Sequence, residues 1–521
     1  MGRKLAAFVL LGLVTPVYLF YGHSNWLNVY DEGITVYGAM RVLGGELPYR
    51  DFWSVYPPGQ YYLLAGLFSL FGPTLLVERT ATFMASWGLV GVAYALARRL
   101  VGWGEALWTW LGMLLWVGSL RLYASPVPPA LVLALCAFLL TSLFFARSRM
   151  VFLLGSGLLT GLMTLFRHDL GFFCFFAHAL ALAAACRLQK DALALPRFRP
   201  ALAVYLAGLA LVLVPAAIVL LSYVPAGEVY SQLIHFPLKV VQGYGGLPFP
   251  SLFADPLMHF QFYCPLLILT AGLGLLSSRA RSGQWQDDDS TALLLVLMGW
   301  TCFRYLLSRT HATHLLPMLV PSLALLPWLI RGRSFWVAPA ALALVLTAWE
   351  PLHLKAEVLR ATPARAGLVP LALPRARGLF LPASQAASYE QAVRAVQACA
   401  PAGEKIFVAN ARHDRFMIGD IIFYFLSERD SATKYYVLAA GLANTREVQH
   451  KIISDLIRHQ VRCVVLWTFD SHSREPNLSG VSSGVTDLDD FLRRYFPPAA
   501  QFGPHILLRR QGELPPLPEG T

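Results

Sequence analysis

The amino-acid sequence predicts a polytopic α-helical membrane protein, about eleven transmembrane helices followed by a soluble α/β domain of roughly 140 residues. Three observations carry this expectation. Hydrophobic residues are 56 % of the 521 and charged residues only 14 %, with a mean hydropathy of +0.53, which leaves too little polar surface for a soluble globule of this size. Apolar runs of about 16–24 residues recur between residues 5 and 349, close to the ~20 residues a helix needs to cross ~30 Å of hydrocarbon. The runs then stop, and β-branched or aromatic stretches alternate with helical patterns to the end of the chain.

The first run, residues 5–21, follows Arg3 and Lys4, with no small-residue cleavage site leading into a polar mature start. It reads as a signal anchor whose N-terminus is cytoplasmic. Residues 22–78 then form a long first loop outside. Within it, residues 57–71 are apolar but short, opened by Pro57-Pro58 as a helix start is, and are expected to lie in the interface. If this stretch spanned, the run 80–97 would deliver Arg98-Arg99 outside, against the positive-inside bias. With it lying flat, Arg98-Arg99, Arg147 and Arg149, the cluster 187–199, Arg279 and Arg281, and Arg331 and Arg333 all fall inside. The outside turns are then 121–129, 167–171, 223–261 and 309–314, and the last span, 335–349, sends the C-terminus out. The expected location is a bacterial inner membrane with a periplasmic C-terminal domain.

The expected domains are a membrane domain 1–350, a linker 351–385 rich in Pro, Arg and Ala, and the α/β domain 386–521. In the last, strands are expected at 405–409, 434–438, 462–467 and 505–509, and helices near 389–399, 418–427, 446–459 and 487–495. No phosphate-cradling Gly-rich turn follows any strand, so the domain has no nucleotide site. A formal charge of +12 would suit nucleic acid only if the basic residues shared a soluble face; most sit in short loops between apolar runs, and nucleic acid is not an expected partner. Five of seven cysteines (Cys136, Cys174, Cys186, Cys264, Cys302) lie in or at the ends of apolar runs, and no Cys/His metal spacing occurs. Cys399 and Cys463 are left in the soluble part, where a disulfide is open but not predicted.

The first loop reads Tyr30-Asp31-Glu32-Gly33, a helical stretch to Leu43, then Gly44-Gly45-Glu46-Leu47-Pro48-Tyr49-Arg50-Asp51-Phe52-Trp53-Ser54-Val55-Tyr56-Pro57-Pro58-Gly59, a short apolar helix and Glu78-Arg79. This arrangement resembles the bacterial membrane glycosyltransferases of the GT-C superfamily, relatives of the protein O-mannosyltransferases and of the lipid A aminoarabinose transferase. The resemblance implies a GT-C-like membrane domain and an inverting transfer of one sugar from a polyprenyl-phosphate donor to a lipid, glycan or protein acceptor at the outer membrane surface. It places the catalytic carboxylate on Asp31, with Glu32 beside it, and a phosphate-contacting arginine at Arg79. A positioned carboxylate can take the proton of an attacking hydroxyl, and cationic donors suit a leaving phosphate.

Each candidate has a plainer reading. Asp31 and Glu32 could cap the helix that starts there. Asp51, a candidate for positioning the acceptor or the loop, could pair with Arg50, and Arg79 could be an interfacial anchor. Arg167-His168-Asp169 lies between two apolar runs, where ionisable groups are costly unless they face water or each other, so His168 and Asp169 are site candidates against a structural Arg–Asp pair. Arg304, Arg309, His311 and His314 stand near the outer ends of two spans and could meet the donor phosphate, or simply snorkel. His235 and Lys239 could belong to a lid over the polyprenyl groove, with Lys239 reaching the phosphate.

The relatives often carry a second acidic residue in the next outside loop. Residues 121–129 contain none, so a divalent metal lacks an obvious second ligand unless Asp169 substitutes, and no cofactor ion is assigned. The alternative function is a glycolipid transporter or flippase, but the paired, Gly/Pro-broken halves of many transporters are not visible. A third reading, an inactive anchor for a partner-binding α/β module, conflicts with the intact acidic first loop.

Overall fold

The computed structural model describes residues 2–188, 197–360, 367–469 and 475–517. Among the described residues seven helices are long and apolar enough to cross a membrane: Leu75–Leu100, Val127–Arg147, His168–Leu188, Phe198–Tyr223, Pro256–Arg281, Asp287–Ser308 and Ala312–Ile330. An eighth crossing results if Ser334–Thr347 and Trp349–Arg360, bent by 55° at their junction, count as one. The expectation of about eleven is therefore too high for full-length spans. The other three positions hold the shorter apolar helices Leu5–Phe20, Leu107–Val117 and Met150–Phe166.

Small residues let some of these helices touch backbone to backbone. A Cβ on Gly157 would stand 2.0 Å from the Tyr205 carbonyl oxygen, and one on Gly208 2.2 Å from that of Leu154, so Met150–Phe166 and Phe198–Tyr223 cross as closely as helices can. Buried hydroxyls add to the same seam. Thr141 donates to Ser156 Oγ at 2.8 Å, Ser156 meets His178 Nε2 at 3.0 Å, and Tyr205 donates to Thr160 Oγ1 at 3.0 Å, so that these side chains satisfy one another across four helices. The far side of Phe198–Tyr223 leaves Leu211, Ile218 and Val219 exposed, as a lipid-facing surface does.

The expected linker contains the helix Trp349–Arg360 and a two-stranded antiparallel ribbon of β1 (Leu368–Pro370) and β2 (Phe380–Pro382). A four-stranded sheet follows in the order β3-β4-β6-β5, from β3 (Phe407–Asn410), β4 (Cys463–Trp467), β5 (Pro498–Phe502) and β6 (His505–Arg509). β3 pairs with β4 in parallel; the other two pairings are antiparallel. Two strand expectations are corrected. Residues 434–438 join no sheet and lie along the first loop instead, with Trp53 N–H donating to the Lys434 carbonyl at 3.0 Å, and the edge strand β5 was not foreseen. A disulfide links Cys399, at the end of the helix Ala383–Cys399, to Cys463 in β4.

The α/β part does not stand apart. Its core is continuous with the first loop: Leu27, Val36, Tyr37, Phe52, Tyr61 and Phe68 bury themselves with Tyr424, Phe425 and Tyr436. Tyr37 stacks on Tyr424 at 4.9 Å and accepts a hydrogen bond from Ser431 N–H at 2.6 Å, while Tyr436 donates to the Ile34 carbonyl at 3.0 Å. At roughly 1.5–3 kcal/mol for each large apolar side chain taken out of water, this seam fixes the loop against the domain. The helix Gly59–Phe71, expected in the interface, buries Tyr61, Leu64 and Phe68 against that core and exposes Tyr62, Leu63, Leu70 and Phe71 on its other face.

Candidate active site

The helix Asp31–Leu43 opens on two adjacent carboxylates with different surroundings. Tyr30 is its N-cap, and Asn28, two residues earlier, accepts at Oδ1 from the N–H groups of Tyr30 at 3.3 Å and Asp31 at 3.0 Å. Asp31 is thereby relieved of capping. Its carboxylate keeps an open surface, and its one hydrogen bond among the described residues comes from Asn28 Nδ2 at 3.5 Å. Protein nonetheless crowds it on the remaining sides, and this loss of water raises its pKa above the usual carboxylate value, against the opposing pull of Asn28, Arg309 and His311. At Gly33 the helix meets the α/β part directly: a Cβ there would lie 2.4 Å from the Ile422 nitrogen, so the approach requires glycine.

Glu32 points the other way and is fully buried. Arg79 grips it with Nε and Nη2, each at 2.9 Å, and gives two further donors to the carbonyls of His23 at 3.1 Å and Trp26 at 2.8 Å, with Tyr123 beneath the guanidinium at 4.4 Å. This corrects two expectations at once. Arg79 is 3 % exposed and has no face open to a phosphate, and Glu32 is the counter-ion of Arg79, not a second base. Neighbouring Glu78 is also buried, accepting from Thr82 at 2.6 Å and from Ala124 N–H at 2.6 Å.

Facing Asp31 is the turn between Asp287–Ser308 and Ala312–Ile330. Arg309 and His311 are electrostatic neighbours of Asp31, and His311 caps the second helix through Thr313 N–H at 3.4 Å. Burial, and then Arg309, lower the pKa of His311, so its ring favours the neutral form. Arg309 is held in a fork by Glu475 of the α/β part at 2.8 and 2.5 Å and donates to the Gly245 carbonyl at 2.6 Å. Asn477 fastens the same loop at the Gly246 carbonyl, 3.0 Å away.

The side wall is aromatic. Tyr56 interacts electrostatically with Asp31 and with Arg167 and Tyr305. Arg167 lies over the Tyr305 ring at 5.0 Å and pairs with Asp169 at 3.0 and 2.5 Å, and His314 stacks on Tyr305 at 4.8 Å. His168, beside them, is half-buried, and its Nδ1 has no hydrogen-bond partner among the described residues. Asp51 pairs with Arg50 at 2.9 and 2.8 Å and accepts from Leu47 N–H at 2.8 Å, a loop staple that holds its pKa below the usual range. Tyr49, next to it, adopts a left-handed φ of 71° with its ring buried, a strained conformation fixed by packing. Arg304 and Lys239 are exposed without a hydrogen-bonding or ionic partner among the described residues.

Among the described residues no group of three or more His, Cys, Asp or Glu could hold a metal ion. Asp169, the substitute ligand considered from sequence, is taken by Arg167, and the neighbours of Asp31 are basic groups, so this donor set does not fit a hard cation. The site therefore sets an exposed carboxylate, bound to no cation, near Arg309 and the His311 ring, with Glu475 of the α/β part holding Arg309.

The crystal structure of ArnT from Cupriavidus metallidurans bound to undecaprenyl phosphate matches 96 % of this chain over 98 % of its own, with a TM-score of 0.60 and 13 % sequence identity. The chain shares its fold with ArnT. The apo state of the same ArnT gives 0.57 at 13 % identity over 97 % of each chain. The apo oligosaccharyltransferase from Archaeoglobus fulgidus gives 0.52 at 13 % identity, covering 88 % of this chain and 69 % of its own. No family model and no curated protein matches the sequence. The shares covered bring both the membrane helices and the α/β part within the ArnT likeness.

Sequence reasoning missed Tyr56, Tyr305 and Glu475 as parts of the cleft. Tyr56 stands in the quoted first-loop motif and was open to notice; Glu475 reaches the site only through tertiary packing, 166 positions from its partner.

Proposed function

We propose that the protein is an inverting glycosyltransferase that moves a monosaccharide from a polyprenyl-phosphate donor to a hydroxyl of a lipid, glycan or protein acceptor at the outer face of a bacterial inner membrane. The observation that carries this reading is the uncapped Asp31 carboxylate, open to the cleft and opposed by Arg309 and His311. In the reaction the acceptor oxygen bonds to the anomeric carbon as the bond from that carbon to the phosphate oxygen breaks. The acceptor proton passes to Asp31, and the bonding pair leaves on the phosphate, whose growing charge is met by Arg309 with Arg304 and Lys239 as further cations. A carboxylate of raised pKa is the stronger base for this step. Tyr56 and the Arg167–Asp169 pair shape the wall along which the acceptor is oriented.

The ArnT-like fold supports a lipid-linked sugar donor, since that relative was solved with undecaprenyl phosphate. The disulfide between Cys399 and Cys463 suits an oxidising compartment and supports a periplasmic α/β domain with a cytoplasmic N-terminus. This orientation requires that the shorter apolar helices Leu5–Phe20, Leu107–Val117 and Met150–Phe166 also cross, beside the seven long ones and the bent pair.

The test is transfer from a panel of synthetic polyprenyl-phosphate monosaccharides into membrane acceptors by wild type and Asp31→Asn. Transfer by wild type alone supports the reading and names the sugar. Equal transfer by both moves the base elsewhere, and no transfer by folded wild type from any donor removes the reading.

A further inference from the structure

Behind the Glu32–Arg79 pair, beside Tyr123, lies a small cavity of about 40 Å³. Its walls are the ends of three helices. Leu19 and Tyr21 close Leu5–Phe20, residues 117–121 close Leu107–Val117, and Thr82, Phe83 and Ser86 come from the early turns of Leu75–Leu100; Lys355 and Val358 of Trp349–Arg360 complete it. Leu5–Phe20 leads into the first loop and Leu75–Leu100 leads out of it, so the cavity adjoins the loop that carries Asp31.

The charges around it are out of balance. Lys355 is 4 % exposed and donates to the carbonyls of Tyr18 at 2.7 Å and Tyr21 at 2.8 Å, with the Tyr18 ring 4.6 Å away. Arg121 lies over Trp26 at 4.8 Å. Neither cation has a carboxylate within ion-pair distance among the described residues. The acid nearest to His23, Glu32, is already neutralised by Arg79. The Ser86 hydroxyl, also lining the cavity, has no hydrogen-bond partner among the described residues. Carbonyls and a ring soften the burial of an ammonium but do not cancel its charge, and a buried cation without a counter-ion is costly. An anion in the cavity supplies what the chain omits. Beside it, Val17, Phe20 and Leu359 are exposed and apolar, a surface for hydrocarbon tails.

We propose that this cavity binds the phosphate headgroup of an anionic phospholipid, held by Lys355, Arg121 and the Ser86 hydroxyl, with its acyl chains along the Leu5–Phe20 helix. The site is separate from the cleft at Asp31 and does not depend on the transferase reading. A lipid here braces the first helix against Trp349–Arg360 and, through His23, whose Nε2 is 2.9 Å from the Arg79 carbonyl, backs the Glu32–Arg79 pair.

The test uses the full chain purified in a neutral detergent, loaded with phosphatidylglycerol or phosphatidylcholine, washed, and assayed for bound lipid by native mass spectrometry together with Tm. Wild type should retain one phosphatidylglycerol through washing and gain Tm with it, and should shed phosphatidylcholine. Arg121→Gln should weaken phosphatidylglycerol retention about tenfold, the loss expected of one charge-assisted contact. Lys355→Met should abolish it, and if that variant fails to fold, Arg121→Gln carries the test alone. Equal retention of both lipids, retention of neither, or wild-type retention by a folded variant overturns the proposal. So does inorganic phosphate that raises Tm as much as the lipid, since that outcome marks a site for a free anion.

Discussion

Arg309 and Glu475, 166 positions apart, meet in a two-pronged ion pair that joins the turn between two membrane helices to the α/β part directly across from Asp31. The pair is about 30 % exposed on both sides, so an incoming anion can reach the guanidinium. On the proposed reading, Arg309 exchanges Glu475 for the donor phosphate. Arg309→Gln should lower kcat/KM for the polyprenyl-phosphate sugar by about 10–100-fold, as loss of a charge-assisted contact does, chiefly through donor KM. Glu475→Gln should lower donor KM by removing the competing anion. Steady-state kinetics over a donor titration check both.

Asp31→Asn should cost roughly 10²–10⁴ in kcat, the range for removing a general base. Because burial raises the Asp31 pKa, the ionised base is lost as pH falls through that raised value, and the acid limb of the wild-type kcat/KM profile should lie above 3.8. The same shift has a stability sign. The folded state favours the protonated form, so the charged form weighs against folding as pH rises, and Asp31→Asn should leave Tm at neutral pH unchanged or raised. A pH–rate profile and a melting curve together test this.

Glu32→Gln and Arg79→Met should behave in the opposite way. Each strands a buried partner and should destabilise the fold by about 3–5 kcal/mol, seen as lost monodispersity or lowered Tm in detergent. Protein that survives should bind donor with near wild-type KM, because Arg79 is occupied by Glu32, His23 and Trp26.

Gly157→Leu and Gly208→Leu should each push apart the helices Met150–Phe166 and Phe198–Tyr223, whose backbones leave no space for a side chain. An overpacking cost of about 1–3 kcal/mol is expected, measurable as lower yield and Tm, whereas Gly274→Leu, a position with open space, should have little effect.

Replacing Cys399 and Cys463 together by Ala should lower stability by about 2–5 kcal/mol, and reductant should lower the Tm of wild type but not of this variant.

The membrane class, the first-loop helix at Asp31 and the final strand His505–Arg509 were legible because each rests on local pattern: apolar length, a helix start, or a β-branched run. Asp487–Tyr495 was legible for the same reason. What failed depended on partners distant in sequence. Residues 434–438 have strand composition, but their backbone is claimed by the first loop through Trp53. Arg79 carries a charge suited to phosphate, but Glu32, 47 positions earlier, takes it. The span count ran high because periodicity gives apolar character more surely than length, and Leu107–Val117 stops after 11 residues at Gly118.

The continuous core between the first loop and the α/β part also sets an order of events during synthesis. Tyr37 emerges early, yet the Ser431 N–H it accepts from is 394 residues further along the chain. Until then Tyr37, Phe52, Tyr61 and Phe68 stand without the surfaces that bury them, and the helix bearing Asp31 has nothing to lean on. A nascent or C-terminally truncated chain, though threaded through the bilayer, thus leaves the site at Asp31 unformed and its first loop open to proteases and chaperones. The last quarter of the chain is therefore the closing step of folding: the first loop reaches its buried state only when these residues have arrived.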